Sequence, residues 1–306
     1  MTNTPEGVFT DVEPTPERLS AARLESLGVI RLEGEDAATF LHNQITNRVL
    51  GQSGRSLLAA WCQYNGRIQT ILRYAVERED SIWVVLPAAL VESVAKRLKM
   101  FVLRSKVTVT PLTGALVYGL SREACEELGL EPVGAGEARF TSSSLLMDAS
   151  GKAERFYWIE TENEAPFKAV RPEADFLLEE MKAGCVWVWP STVNEFVPQM
   201  LRLDEIGGVV FDKGCYPGQE VVSRLKFVGR TNRLSELCAA GRTPSLTTGE
   251  DTFMGDEAVG TTAQVVHTPE KTWFVQVRST KAAEGPVSVG PDAAEAVVVD
   301  DFTRLA

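Results

Sequence analysis

A chain of 306 residues with 44% hydrophobic and 24% charged side chains exceeds the roughly 250–300 residues at which single cores stop growing, so two or three modules are expected. No apolar run approaches the roughly 18 residues of a spanning helix, and a formal charge of −11 argues against a protein that coats nucleic acid. Five scattered cysteines and only two histidines argue against a disulfide framework or a histidine-rich metal centre and fit a reducing, cytoplasmic setting.

In chain order, residues 1–21 read as a flexible polar arm without the basic start and apolar run of a leader. LGVIRLEGEDAATFLHNQITNRV predicts a strand through residues 29–32, a turn at Gly34, and a helix opened by Glu35 and Asp36, which suit the positive end of its dipole. RSLLAAWCQYNGRIQTILRYAV predicts two strands about Asn65-Gly66, a pair that tolerates positive φ at both turn positions. SIWVVLP is a further strand, and Leu90, Val91, Val94 and Leu98 recur at helical spacing after Pro87. KVTVTPL and GALVYGL return to strand, residues 121–130 to helix and 137–161 to strands. Residues 172–183 predict a helix with Pro172 in its first turn and Gly184 past its end. From Leu234 the short β-rich runs, separated by Gly, Pro and Asp, predict a small all-β barrel or sandwich. Hairpins between neighbouring strands favour an α+β chain with antiparallel sheets, and no dinucleotide fingerprint or phosphate loop appears.

Charge is unevenly placed. Residues 96–106 carry +5 and residues 213–233 carry +4, which leaves −20 on the rest against a total of −11. Such windows suit an anionic small ligand or a local RNA contact, or are two solvated faces. The second window holds FDKGCYPGQEVVSR. Gly214 and Gly218 permit tight backbone angles, Pro217 breaks an earlier helix, and a helix can begin at Gly218 or Gln219. Cys215 then lies just before a helix N-terminus with Lys213 beside it, a setting that lowers a thiol pKa, or it fills a small pocket at a turn. Glu220 and Arg224 complement the helix dipole in either case. A Cys-His pair would need His42 or His267 to arrive through the fold. Trp187 and Trp189 alternate as strand residues do and serve a core or a stacking platform.

KGCYPGQE resembles the Lys-Gly-Cys-Tyr-x-Gly-Gln-Glu signature of the YgfZ-type folate-binding proteins, relatives of the T-protein (aminomethyltransferase) of the glycine cleavage system. GEDAATFLHNQITNRV, AAWCQYNGRI, LKMFVLRSKVTV and NEFVPQMLRLDEIGGVVFDKGCY resemble the family's blocks in order and spacing, over residues 22–233. The resemblance implies two interleaved antiparallel-sheet subdomains with helices over 22–233, a C-terminal β-barrel over 234–306, and a central opening for tetrahydrofolate or another reduced folate. It further implies a role in maturation or repair of iron–sulfur client proteins, and through them in tRNA modification. The functional thiol would be Cys215 with Lys213, within a motif of Gly214, Tyr216, Gly218, Gln219, Glu220 and Arg224; Phe176 takes the place of the aromatic residue in the family's folate pocket. Direct nucleic-acid binding, a membrane and a metal are not implied.

Two departures stand out. T-proteins carry an Asp-Asp pair where this chain has Gln69 and Thr70, and neutral side chains cannot act as a carboxylate base at neutral pH. Arg202 stands where the family commonly has Asn. A folate-dependent aminomethyl transferase is therefore the alternative rather than the leading expectation, and a cysteine hydrolase or transferase without folate comes third.

Overall fold

The computed structural model describes residues 21–152, 154–161, 171–291 and 293–300, so the expected N-terminal arm lies, but for Ala21, outside the described residues. The chain runs β1 (Ala22–Arg23), β2 (Leu27–Glu33), α1 (Ala37–His42), β3 (Arg55–Cys62), β4 (Ile68–Arg78), β5 (Ser81–Pro87) and α2 (Val91–Lys99). It continues through β6 (Thr108–Pro111), β7 (Leu116–Ser121), α3 (Arg122–Glu127), β8 (Ala138–Phe140), β9 (Ser144–Asp148), β10 (Arg155–Glu160), α4 (Glu173–Lys182) and α5 (Gln219–Phe227). The last strands are β11 (Arg233–Gly241), β12 (Asp251–Met254), β13 (Glu257–His267), β14 (Lys271–Ser279), β15 (Val287–Val289) and β16 (Ala294–Asp300).

These strands form two five-stranded antiparallel sheets, β3-β4-β5-β2-β6 and β1-β7-β10-β9-β8, followed by a closed antiparallel barrel ordered β11-β14-β13-β12-β15-β16. The chain enters the second sheet with β1, builds the first with β2–β6, then returns to the second with β7, so the α+β subdomains are interleaved.

The apolar pattern explains the layering. Along β2, Leu27 and Val29 join the central core while Ile30 and Leu32 join a second cluster beneath α1 and α2. Both faces of the first sheet are thus covered, which is why β5 is buried at every position and β4 at its first nine. The second sheet repeats the device: Val117, Tyr157 and Ile159 face the central core, and Leu120, Phe156 and Trp158 face α3. Barrel residues Val266 and Val275 belong to that same central core, so the barrel packs into it.

Local differences from the sequence expectations have local causes. In the β3–β4 turn only Gly66 has positive φ, +77°, and Gly66 N–H donates to Gln63 C=O at 2.9 Å, so Asn65 needs no left-handed conformation. Asp36 is the N-cap residue of α1 but makes no side-chain capping bond; its carboxylate accepts from Lys106 N–H at 2.7 Å and ties the helix entry to the segment before β6. Pro172 is the residue before α4 rather than within its first turn. The segment containing Trp187 and Trp189 is not a strand: Trp187 N–H is taken by the Gln264 side-chain oxygen of the barrel at 2.8 Å, and its ring is fully buried in the core.

Candidate functional site

The signature loop is built against the β3–β4 hairpin. Gly218 precedes α5 with φ +85°, and a Cβ there would lie 2.4 Å from the Gln63 carbonyl oxygen and 2.8 Å from Gly66 Cα. A Cβ on Gly66 would lie 2.9 Å from that of Val221 on α5. Two glycines far apart in the chain therefore let two backbones touch. Tyr216 is buried, and the Gln219 side chain donates to Lys213 C=O at 3.4 Å. Glu220 and Arg224 face solvent.

The Lys213 ammonium turns inward. It donates to the carbonyls of His42 and Ile45, the latter at 2.7 Å, and lies 5.0 Å from the Tyr216 ring centroid. Burial, aided by Arg48, pushes its pKa down to about 8. Cys215 and Gly214 are exposed. Cys62, Cys125, Cys185 and Cys238 are buried, and burial raises their thiol pKa values, that of Cys125 to about 12.

His42 is delivered to this loop. Its Nδ1 accepts from Val49 N–H at 3.2 Å, which leaves the proton of the neutral ring on Nε2; a Cβ built on Gly214 would lie 3.9 Å from that Nε2. Burial first, then Lys213 and Arg48, hold its pKa below the ordinary value and favour the neutral ring. His267 instead pairs with Thr272 in the barrel at 3.1 Å.

Gln69 and the hairpin tip line a cleft of about 250 Å³ with Trp61, Tyr64, Arg97, Phe101 and Pro217. Thr70 is fully buried and donates to Ile71 C=O at 3.0 Å. Arg202 has φ +53°, a left-handed conformation that favours Asn or Gly, and holds Glu205 at 3.0 Å.

A second cavity of about 400 Å³ opens between the two sheets, lined among others by Asn47, Ser56, Arg73, Lys152, Arg155 and Cys185. Arg73 is 6% exposed; its guanidinium donates to the Cys185 sulfur at 3.2 Å, and its Nε has no hydrogen-bond partner. The Nε of Arg155 is likewise buried without one. Behind this wall Glu180 is fully buried, accepting from the Tyr157 hydroxyl and from Trp187 Nε1, the latter at 3.1 Å, and burial raises its pKa. Phe176 is fully buried, 5.7 Å from the Tyr157 ring, and is not among the residues lining either cavity. Its ring fills the space over Gly119, where a Cβ would come within 2.4 Å of it. Sequence reasoning missed Arg73, although a charge inside the apolar run ILRYAV of a strand buried on both faces was a readable signal. Arg155, Cys185 and Glu180 carried none. Among the described residues no cluster of three or more His, Cys, Asp or Glu could hold a metal ion.

No family model matches the chain. It is 30% identical over 229 residues to a tRNA-modifying protein YgfZ of Colwellia psychrerythraea, covering 69% of this chain and 68% of that protein. A crystal structure of the glycine cleavage system aminomethyltransferase T from Bartonella henselae matches with a TM-score of 0.67 over 95% of this chain and 88% of that one; at 13% identity this establishes likeness of fold.

Proposed function

The chain belongs to the YgfZ family, and from that premise we propose that it is a reduced-folate-binding accessory protein supporting maturation or repair of iron–sulfur proteins, and through them tRNA modification, with Cys215 as its working thiol. The observation that carries this reading is the placement of Cys215: among five cysteines it alone is exposed, on a loop fixed by backbone contact with the hairpin and by the inward Lys213. A thiol kept at the surface by so much local structure is suited to act on another molecule.

Folate belongs in the cavity between the sheets, within residues 22–233. The residues present fit it. A reduced folate is a planar heterocycle with an anionic glutamate tail; the unpartnered Nε groups of Arg73 and Arg155 and the nearby Lys152 offer donors and positive charge, and Asn47 and Ser56 offer polar edges. When bound, it supplies a carrier for one-carbon groups. The chain's own residues would hold and orient it: Arg73 is fixed against Cys185, with Glu180 buried behind, so its guanidinium is positioned before the ligand arrives. Aminomethyl transfer is not supported, since the T-protein's carboxylates are replaced by Gln69 and Thr70, both buried and neutral.

The test is fluorescence titration of the purified protein with tetrahydrofolate. Binding should saturate, weaken with salt, and weaken in Arg155→Gln and Lys152→Ala more than in Lys99→Glu. A folded protein with no saturable signal would remove the folate reading.

A further inference from the structure

Among the described residues, the five most exposed large apolar side chains are Leu103 (91%), Val228 (84%), Tyr64 (79%), Phe227 (70%) and Met100 (69%). Two of them meet the signature stretch, Tyr64 sharing a cleft with Pro217 and Phe227 packing on Phe211, and the other three lie within two residues of Phe101 or Phe227 in the chain. Tyr64 is on the hairpin tip and shares the 250 Å³ cleft with Arg97, Phe101 and Pro217; Met100 and Leu103 flank Phe101. Phe227 closes α5 and packs edge-on against Phe211, two residues before Lys213, with ring centroids 5.4 Å apart. On the same chain segments Lys96, Lys99, Arg104, Arg224 and Arg230 are exposed and have no ion pair among the described residues. By contrast Lys106 and Lys226 are already paired, with Glu35 at 2.6 Å and Asp204 at 3.0 Å.

We propose that this face is a docking surface for a protein partner whose matching surface is acidic and carries apolar side chains, placing that partner over Cys215. Exposed apolar groups rimmed by unpaired charge mark association sites, and Met and aromatic residues are enriched at their centres. The unpaired cations select an anionic partner and speed its encounter. RNA is also anionic, and its bases stack on aromatic rings such as Tyr64 and Phe227, but three of the five exposed groups, Leu103, Met100 and Val228, are not aromatic, which favours a protein that buries them. The −20 carried outside the two basic windows also repels a polyanion that extends past this face. The surface deepens the reading of Cys215 as a thiol acting on a client, and it stands or falls apart from the folate cavity.

A photo-crosslinking benzophenone amino acid is placed at Leu103 in the full chain, expressed in its own host without the chromosomal copy, with the same group at Glu270 in the β13–β14 turn as control. Expected at Leu103 and not at Glu270 is a protein adduct that survives ribonuclease and whose crosslinked peptide is net negative. Its yield should fall about tenfold in a Lys99→Glu, Arg104→Glu background, as desolvated charge pairs lose coupling. No adduct beyond the control, a ribonuclease-sensitive adduct, an adduct with a second copy of this chain, or indifference to the charge reversal each overturns the proposal. Tetrahydrofolate titration of the same variants separates the outcomes: an adduct without folate binding removes only the folate reading, and folate binding without an adduct removes only the docking surface.

Discussion

Cys215 and Lys213 stand two residues apart on one loop but in opposite environments, and the difference is testable at each. The Cys215 sulfur is open to solvent, whereas the other four thiols must wait for local unfolding before a reagent reaches them. Cys215 should therefore alkylate with iodoacetamide roughly a hundredfold faster than Cys62, Cys125, Cys185 or Cys238, read by mass spectrometry of mapped peptides at several pH values. Cys215→Ser should fold and bind folate normally while losing support of iron–sulfur enzymes in cells; equal labelling of all five thiols together with full complementation would make the thiol incidental. For Lys213 the sign runs the other way from a salt-bridged lysine. Its pKa is 10.5 when unperturbed and about 8 in the fold. Between those values the unfolded chain holds the proton and the native chain has released it, so this residue makes stability rise with pH across that window and contributes no slope below it. Urea denaturation from pH 7 to pH 10.5 should show that rise in the native sequence and a smaller one in Lys213→Met. A slope unchanged by the substitution would mean that the carbonyls of His42 and Ile45 hold the ammonium charged throughout.

At the level of elements, the junction between the hairpin and α5 depends on two glycines that read very differently in the sequence. Asn65-Gly66 announced a hairpin because turn chemistry is local, and Gly214 and Gly218 announced turns for the same reason. That Gly66 and Gly218 meet each other was not legible, because the contact joins segments distant in the chain and neither residue has a side chain to betray it. The Trp187 segment failed in the same way: its alternation matches a strand, but its backbone partner is a side chain of the barrel. Gly51 provides an internal comparison, since it has φ +70° with no atom within 4 Å of an added Cβ. Gly51→Ala should cost only the left-handed penalty, about 1–2 kcal/mol. Gly218→Ala adds an overlap with the Gln63 carbonyl and should cost about 3 kcal/mol or more, with Cys215 labelling altered as the loop lifts from the hairpin. Equal losses in the two variants, measured by urea denaturation, would show that the close approach carries no energy.

Across the whole molecule, periodicity and turn signals were enough to read an α+β chain of antiparallel sheets with a C-terminal barrel or sandwich, because strand patterns and hairpin residues are local properties; the division into two interleaved subdomains came from the family resemblance. What they could not reveal is that the barrel and the sheets share one core. Val266 and Val275 of the barrel belong to one core cluster with Tyr157 of the second sheet and Val85 of the first, Trp187 N–H is held by Gln264, and Lys182 at the end of α4 lies 4.9 Å from the Trp273 ring. A barrel so joined cannot unfold without exposing apolar surface of its neighbours, so the boundary near residue 233 should not be a boundary of cooperativity. Variants retaining a single tryptophan, Trp273 in the barrel or Trp61 in the first sheet, should report coincident urea transitions, and Gln264→Leu should shift both midpoints together. That change strands the buried Trp187 N–H and should cost about 1–3 kcal/mol. Because the cavity lies between the sheets, tetrahydrofolate at a hundred times its Kd should raise both midpoints by the equivalent of about 2.7 kcal/mol. Two separate transitions, with the ligand moving only the one seen by Trp61, would show instead that the barrel is an independent module whose contacts with the core are too weak to couple them.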